Sequence, residues 1–330
     1  MNFLDRAALT LLPLVPRWIM ARFSSRYIAG EGREDALEVA ARLQGAGYRL
    51  TFDNLGEAVG NREGVAAAAQ EYRRLIAALG RRDLEGNVSV KPTQMGLLLG
   101  EDLCFETVSG LVSELRRADG FLRFEMEDSP TTQATLKVFR RLRAAYGSSV
   151  GCVLQARLRR SEEDARALVA QRDSLNVRLV KGVYREPADI AFQGREEIRA
   201  SFLRILEILL DGGAFVGVAT HDEKLVEGLE ALLAGNAVFR ERFEIQMLLG
   251  VREPLRQQIR ARGMPVRVYL PYGRDWHAYV VRRLKENPEL ARQALRGMIL
   301  PRERLQDQPG GGPSSSTRIV HEPSGSSDAS

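Results

Sequence analysis

Eight short runs of β-type residues close on polar side chains whose types could do chemistry. Asp53 ends the first in TFDNLGE, Lys91 the second in SVKPTQMGL, and Glu125 the third in FEMEDSP. Gln155 ends the fourth in VLQAR and Lys181 the fifth in RLVKGVYREP. Thr220 and His221 end the sixth in GVATHD, Gln246 lies in FEIQMLLG, and Tyr269 ends the eighth in RVYLPYGRDW. Strand interiors are expected to be apolar, so each polar end needs a reason. Polar residues paired inside a barrel would account for one or two, but a whole ring of them resembles a site that binds a polar ligand and moves protons. A lysine at such a place, Lys91 or Lys181, could instead be a Schiff-base nucleophile. A second group, Tyr279, Arg282, Arg283 and Glu286, falls on one helix face by its spacing. Alone it reads as a solvated face with an Arg–Glu pair. Beside a site, the two guanidinium forks match a small carboxylate, with Tyr279 placed to close the pocket.

The runs that must position these groups are Tyr48 to Asp53, Asn87 to Lys91, Phe121 to Glu125, Val150 to Gln155, Asn176 to Lys181, Phe215 to Thr220, Arg242 to Met247 and Val266 to Tyr269. They start about 24 to 40 residues apart, room for one strand and one crossover helix each. Apolar residues at helical spacing fill the gaps, as in Glu101 to Arg117 and Glu196 to Leu210. Alternating β and α units imply a parallel sheet, and eight of them favour a closed (β/α)8 TIM-type barrel over an open doubly wound sheet. Neither GxGxxG nor a P-loop occurs. The α/β chain therefore divides into an N-terminal helical arm at 1–45, a catalytic barrel at 46–305 and a Gly-, Pro- and Ser-rich tail at 306–330 expected to be disordered.

Composition excludes several classes. The chain has two cysteines, Cys104 and Cys152, far apart and without CxxC or Cys/His clusters, so neither a disulfide framework nor a zinc site is expected. That pattern suits a reducing, cytoplasmic compartment. The net charge of +5 comes from scattered arginine pairs, read as solvated helix faces in preference to a membrane or nucleic-acid surface. No window approaches a membrane span. The apolar stretch Ala7 to Met20 is broken by Pro13, Pro16 and Arg17 and reads as an amphipathic helix that packs on the domain or touches a membrane surface.

From about Phe23 to Leu300 the chain resembles the proline dehydrogenases, in particular the short single-function bacterial type. The runs that carry the likeness are DNLGE, SVKPTQMGL, MEDS, VLQAR, RLVKGVYREP, ATHD, FEIQMLLGV and YLPYGRDWHAYVVRRLKENP. The resemblance implies a flavoenzyme with non-covalent FAD that oxidises L-proline to Δ1-pyrroline-5-carboxylate and passes electrons to a membrane quinone. It also implies a peripheral contact with the inner face of the membrane and no nucleic-acid partner. Implied cofactor contacts are Met126, Gln155, Lys181, Gly182, Val183, Thr220 and His221, with Arg178 and Glu125 beside the flavin as catalytic residues. Implied substrate contacts are Lys91, Tyr269, Tyr279, Arg282, Arg283 and Glu286, with the two arginines holding the proline carboxylate. Lys91 and Glu125 are expected to form an ion pair that completes the pocket. One position departs from the family pattern: Glu125 stands where aspartate is usual.

Overall fold

The structure is a computed structural model and describes Met20 and residues 26–171, 174–277 and 279–281. The tail at 306–330, most of the N-terminal arm, and Arg282, Arg283 and Glu286 lie outside the described residues.

Eight parallel strands pair in chain order and close on themselves. They are β1 (Arg49–Asn54), β2 (Asn87–Val90), β3 (Phe121–Phe124), β4 (Val150–Gln155), β5 (Asn176–Val180), β6 (Phe215–Ala219), β7 (Phe243–Leu248) and β8 (Val266–Tyr272). Helix α1 (Arg33–Gly45) precedes the barrel. The crossover helices are α2 (Arg62–Arg81), α3 (Glu101–Arg116), α4 (Ser129–Tyr146), α5 (Ser161–Val169), α6 (Arg195–Asp211), α7 (Glu223–Gly235) and α8 (Glu253–Ala261). Every expected strand forms, with β4 matching at both ends and the others shifted by at most three residues at either end. Helix α2 shows why its segment folds this way. The Asn61 side chain caps it by accepting from the Gly64 amide at 2.7 Å, and Val65, Ala69, Tyr72, Ile76 and Leu79 line its buried face at helical spacing.

Side chains on a strand alternate between its two faces. The outward set, including Phe52, Val90, Leu122, Phe124, Leu179, Val218, Ile245 and Val268, is buried in one apolar cluster with the helices. The inward set is polar: Thr51, Asp53, Ser89, Arg123, Arg178, Glu244, Gln246 and Arg267, all buried. Arg178 on β5 donates to the Ser89 hydroxyl on β2 at 3.1 Å, a bond between strands that are not neighbours and so one that crosses the lumen. The expectation of apolar strand interiors thus holds for the helix-facing side only, and the barrel lumen carries the polar residues.

At the N-terminal end of the lumen, Arg267 donates to both oxygens of Glu244 at 2.5 and 3.1 Å and to Glu85 at 2.6 Å. Arg49 adds a second cation on Glu244 at 3.1 Å. Burial alone would raise the Glu244 carboxyl, but Arg267, with hydrogen bonds from Gln246 and Arg49, outweighs it and lowers the group. Arg267 also donates to the Leu50 carbonyl, so it stitches the seam where β8 meets β1. That seam runs from Arg49 opposite Arg267 to Asn54 opposite Tyr272. The strap before α1 extends it, with Ala29 N–H donating to Pro271 O at 2.8 Å and Gly273 N–H to Gly30 O at 3.1 Å.

Room for Arg123 comes from a missing side chain. A Cβ on Gly151, the β4 residue opposite Arg123, would lie 2.5 Å from both the Arg123 Nη1 and the Asn176 carbonyl and 2.7 Å from the Phe121 ring. Because one of those atoms is backbone, the clash cannot be relieved by a rotamer change. Gly151→Ala is expected to destabilise the fold by about 1–3 kcal/mol, seen as a lower denaturant midpoint with unchanged slope.

Candidate functional site

The carboxyl ends of the strands gather the expected residues at one mouth of the barrel, where the fold places chemistry. Asp53 is the last but one residue of β1, and Lys91 follows β2. The Lys91 ammonium donates to both Asp53 oxygens at 3.0 Å. Asp53 is almost fully buried and Lys91 is slightly open to the mouth. Glu125, just past β3, is instead paired with the Arg178 guanidinium. The expected Lys91–Glu125 ion pair is therefore corrected to two pairs, Lys91–Asp53 and Arg178–Glu125. The first joins the ends of adjacent strands, and the second spans β3 to β5.

Arg178 is held on every side that the described residues reach. Its Nε donates to Gln246 Oε1 and its Nη1 to Ser89 and Glu125. Its guanidinium lies 5.1 Å from the centroid of the Tyr269 ring. Its Nη2 is buried and finds no acceptor among the described residues. The Tyr269 hydroxyl is raised well above its ordinary pKa, by burial first and then by Asp53 and Glu125, so it stays a neutral donor. Tyr279 is buried near enough to Tyr269 to add to that shift.

On the far side of the mouth, Gln155 ends β4 and donates to the Glu127 carbonyl at 2.7 Å. The buried Met126 precedes Glu127 in the same turn. Glu127 accepts from the Thr93 amide at 2.8 Å and the Thr93 hydroxyl at 2.7 Å, which ties the loop after β2 to the turn after β3. Burial raises its carboxyl. Lys181 follows β5 and pairs with Asp222, whose oxygens also take Arg199 at 2.8 and 2.9 Å. Burial opposes the Asp222 charge, but hydrogen bonds from Arg199 and Lys181 prevail and bring its carboxyl down to about 2. Thr220 is buried, and its hydroxyl accepts from the Asp222 amide at 3.1 Å. The Leu248 amide donates to His221 Nε2 at 2.9 Å, which leaves Nδ1 to carry the proton of a neutral ring. Gly182 sits at φ +95°, and Val183 beside it is exposed.

Three features of this site escape a reading of strand ends alone. Asp222 lies one residue past the expected His221 yet anchors Lys181. Glu127, within MEDS, braces two loops. Ser89 and Glu244 lie below the mouth, where Ser89 holds Arg178 directly and Glu244 acts through the expected Gln246. The polar–apolar alternation in NVSV and FEIQML is the signal that marks that last set. No cluster of His, Cys, Asp and Glu suited to a metal occurs among the described residues, and no described helix is long and apolar enough to cross a membrane.

Residues 36–295 match the family model for proline dehydrogenase. A proline dehydrogenase of Deinococcus radiodurans is 34% identical over 284 residues, which cover 85% of this chain and 91% of the relative. Proline dehydrogenase 1 of Bacillus subtilis strain 168 is 33% identical over 275 residues, 83% of this chain and 90% of that one. Among solved structures, proline utilization A from Bdellovibrio bacteriovorus, inactivated by N-propargylglycine, superposes with a TM-score of 0.75 at 25% identity. The match covers 80% of this chain but 32% of that longer protein.

The Lys91–Asp53 pair is open to a direct test. Asp53→Ala leaves a mostly buried ammonium alone and is expected to cost about 3–5 kcal/mol of stability, read from urea unfolding. Adding Lys91→Met removes the stranded charge and should recover part of that loss. The Asp222 cluster predicts a pH dependence. A carboxyl depressed to about 2 from its ordinary 3.8 stabilises the fold above the unfolded value, and the contribution is lost as pH falls from 3.8 towards 2. Asp222→Asn keeps a helix-capping side chain but not the charge. Its Tm deficit against the parent chain is therefore expected to be largest at pH 7 and smaller at pH 3.

Proposed function

The chain belongs to the proline dehydrogenase family, oxidoreductases that act on proline, and from that premise we propose that it oxidises L-proline to Δ1-pyrroline-5-carboxylate with FAD as electron acceptor and a membrane quinone downstream. The observation that carries this reading is Arg178 at the floor of the mouth, buried, paired with Glu125, and left with Nη2 free of any acceptor among the described residues. A fixed cation with a spare donor suits a ring that gains negative charge on reduction. A second observation concerns room. A Cβ on Gly182 would meet Gln155 Oε1 at 2.9 Å and the Arg157 Cβ at 3.2 Å, so glycine leaves room at this turn for Gln155, one of the residues that would hold the cofactor. The residues present fit a flavin.

Met126, Gln155, Lys181, Gly182, Val183, Thr220 and His221 would hold it. Lys181 supplies positive charge for its phosphates, and Asp222 sets the position of that charge. When bound, FAD supplies the acceptor for the hydride that leaves the proline ring carbon next to nitrogen. The protein's part is orientation. Arg282 and Arg283, which match the family's carboxylate-binding arginines, would bind the proline carboxylate and so orient the ring. Tyr269, held as a neutral phenol, and Tyr279 would wall the ring, and Lys91, tied to Asp53, would complete the pocket beside them. Glu125 keeps Arg178 in place and does not pair with Lys91. The proline nitrogen must be neutral when the hydride leaves and gives up its remaining proton as the C=N bond forms, to solvent or a pocket carboxylate. Location at the inner face of a membrane, touching lipid without crossing it, accords with the quinone acceptor.

A Schiff-base aldolase reading loses its support here. Both strand-end lysines are engaged in ion pairs, Lys91 with Asp53 and Lys181 with Asp222, whereas that chemistry has to present a free amine. The test is the absorption spectrum of the purified protein, taken with FAD and without oxygen. L-proline is expected to bleach the flavin bands and D-proline to leave them. A protein that binds no FAD, or one whose flavin L-proline does not bleach, would overturn the reading.

A further inference from the structure

We infer that Gln246 and Glu244 are positioning residues that aim Arg178, an inference that rests on the flavin reading above. Neither side chain reaches the mouth of the barrel; both act through the guanidinium above them. Hydrogen-bond polarity fixes the sense of each contact in this chain of side chains. Arg267 and Arg49 are donors only, so Glu244 is held as an acceptor at 2.5 to 3.1 Å. A carboxylate held in this way can take only the NH2 end of the next amide, and Gln246 Nε2 donates to Glu244 Oε1 at 2.7 Å. The amide is thereby forbidden to flip, and its oxygen must point up the lumen. Arg178, again a donor only, places its Nε on that oxygen.

Each link therefore has one allowed sense, from the cations at the bottom of the barrel to the guanidinium at the top. With Nε on Gln246 and Nη1 on Ser89 and Glu125, the planar fork has no rotation left, and Nη2 is the donor that remains. Ion pairing to Glu125 alone would leave the guanidinium free to pivot about that contact. The fold makes space for this arrangement. Gly217 on β6 stands beside Arg178 on one side and Glu244 on the other, and a Cβ there would lie 2.4 Å from Gln246 Nε2. The charge of Glu244, which Arg267 and Arg49 keep ionised, is what gives the amide its direction.

The test uses the full chain loaded with FAD and compares it with Gln246→Met, which fills the space without polar atoms. Gln246→Asn, which keeps both polar ends but lacks the reach, serves as the second variant. For either, kcat is expected to fall at least tenfold, with the KM for L-proline within about threefold. The two-electron midpoint of the bound flavin is expected to move negative, by about 30 mV for each tenfold loss in stabilisation of the reduced form. A third readout needs no cofactor. In the apo protein the Arg178 Nε–H is expected to give a solvent-protected NMR signal that the variants lose. If Gln246→Met does not fold, the Asn variant carries all three measurements. An unchanged midpoint with kcat within twofold would overturn the inference, as would a rise in KM alone or a lower Tm with the midpoint intact. Those results are distinct from failure of the flavin reading, in which the parent chain itself is not bleached by L-proline.

Discussion

A guanidinium buried inside a barrel is the constraint around which this structure is organised. Taking Arg178 out of water costs several kcal/mol unless its donors and charge are matched. The matching comes from four strands at once: Glu125 past β3, Ser89 on β2, Gln246 on β7 and the Tyr269 ring on β8 surround a side chain rooted on β5. A second guanidinium, Arg123, shares the lumen. Burial first, and then the like charge of Arg178, push its pKa down to about 9. The carboxylates Glu125 and Glu244 offset that repulsion. The lumen thus acts as a polar scaffold with fixed orientations, and the apolar core that stabilises the fold lies in the ring between strands and helices.

The fold was legible because repetition is a strong signal. Eight β-type runs at crossover spacing give strands whose observed ends agree to within three residues, as with Val150–Gln155, which matches at both ends, and Phe215–Ala219, one residue shorter than expected. The list of mouth residues was legible for the same reason, since a strand end is a position in a pattern. Which of those residues pair is another matter. Lys91 could reach toward either neighbouring strand, and sequence order alone does not separate Asp53 on one side from Glu125 on the other. Barrel tilt and side-chain length decide it. Asp53 meets Lys91 at the shared β1–β2 edge, while the longer Glu125 extends inward to Arg178. Ser89 and Glu244, beneath the mouth, are not strand-end positions, so a reading of strand ends that includes Gln246 still passes over them. The same alternation that buries Val88 and Val90 outward puts Ser89 inward, so the information was present but unread.

The loops above the strands are fixed by bonds from one loop to the next. Glu186, in the turn after β5, accepts from the Ser129 amide at 2.8 Å and the Ser129 hydroxyl at 2.5 Å, and so supplies an anion to the N-terminus of α4. Arg157, in the turn after β4, donates to the Tyr184 carbonyl at 2.6 Å. Asp222 caps α7 through the Lys224 amide while holding Lys181 and Arg199. Each of these side chains serves a helix end or a neighbouring loop as well as the mouth. The geometry of the mouth is therefore tied to the secondary structure around it, and a change in one loop is transmitted to the next strand end.

The seam between β1 and β8 has a consequence for how the chain is made. Its partners, Leu50 and Val268 among them, lie at opposite ends of the described sequence, while every other strand pairs with its successor. Local β–α–β units can assemble as they leave the ribosome, but the ring cannot close until Val266–Tyr272 has been synthesised. Until then β1 and the newest strand both expose unpaired amides and carbonyls, the kind of edge on which chains aggregate. Arg49 and Glu85 from the first side meet Glu244 and Arg267 from the other at this junction, and these two cross-seam ion pairs are unmade before closure. During biosynthesis these charges would discourage premature association of the two open edges with other chains, and afterwards they become the lock that joins them.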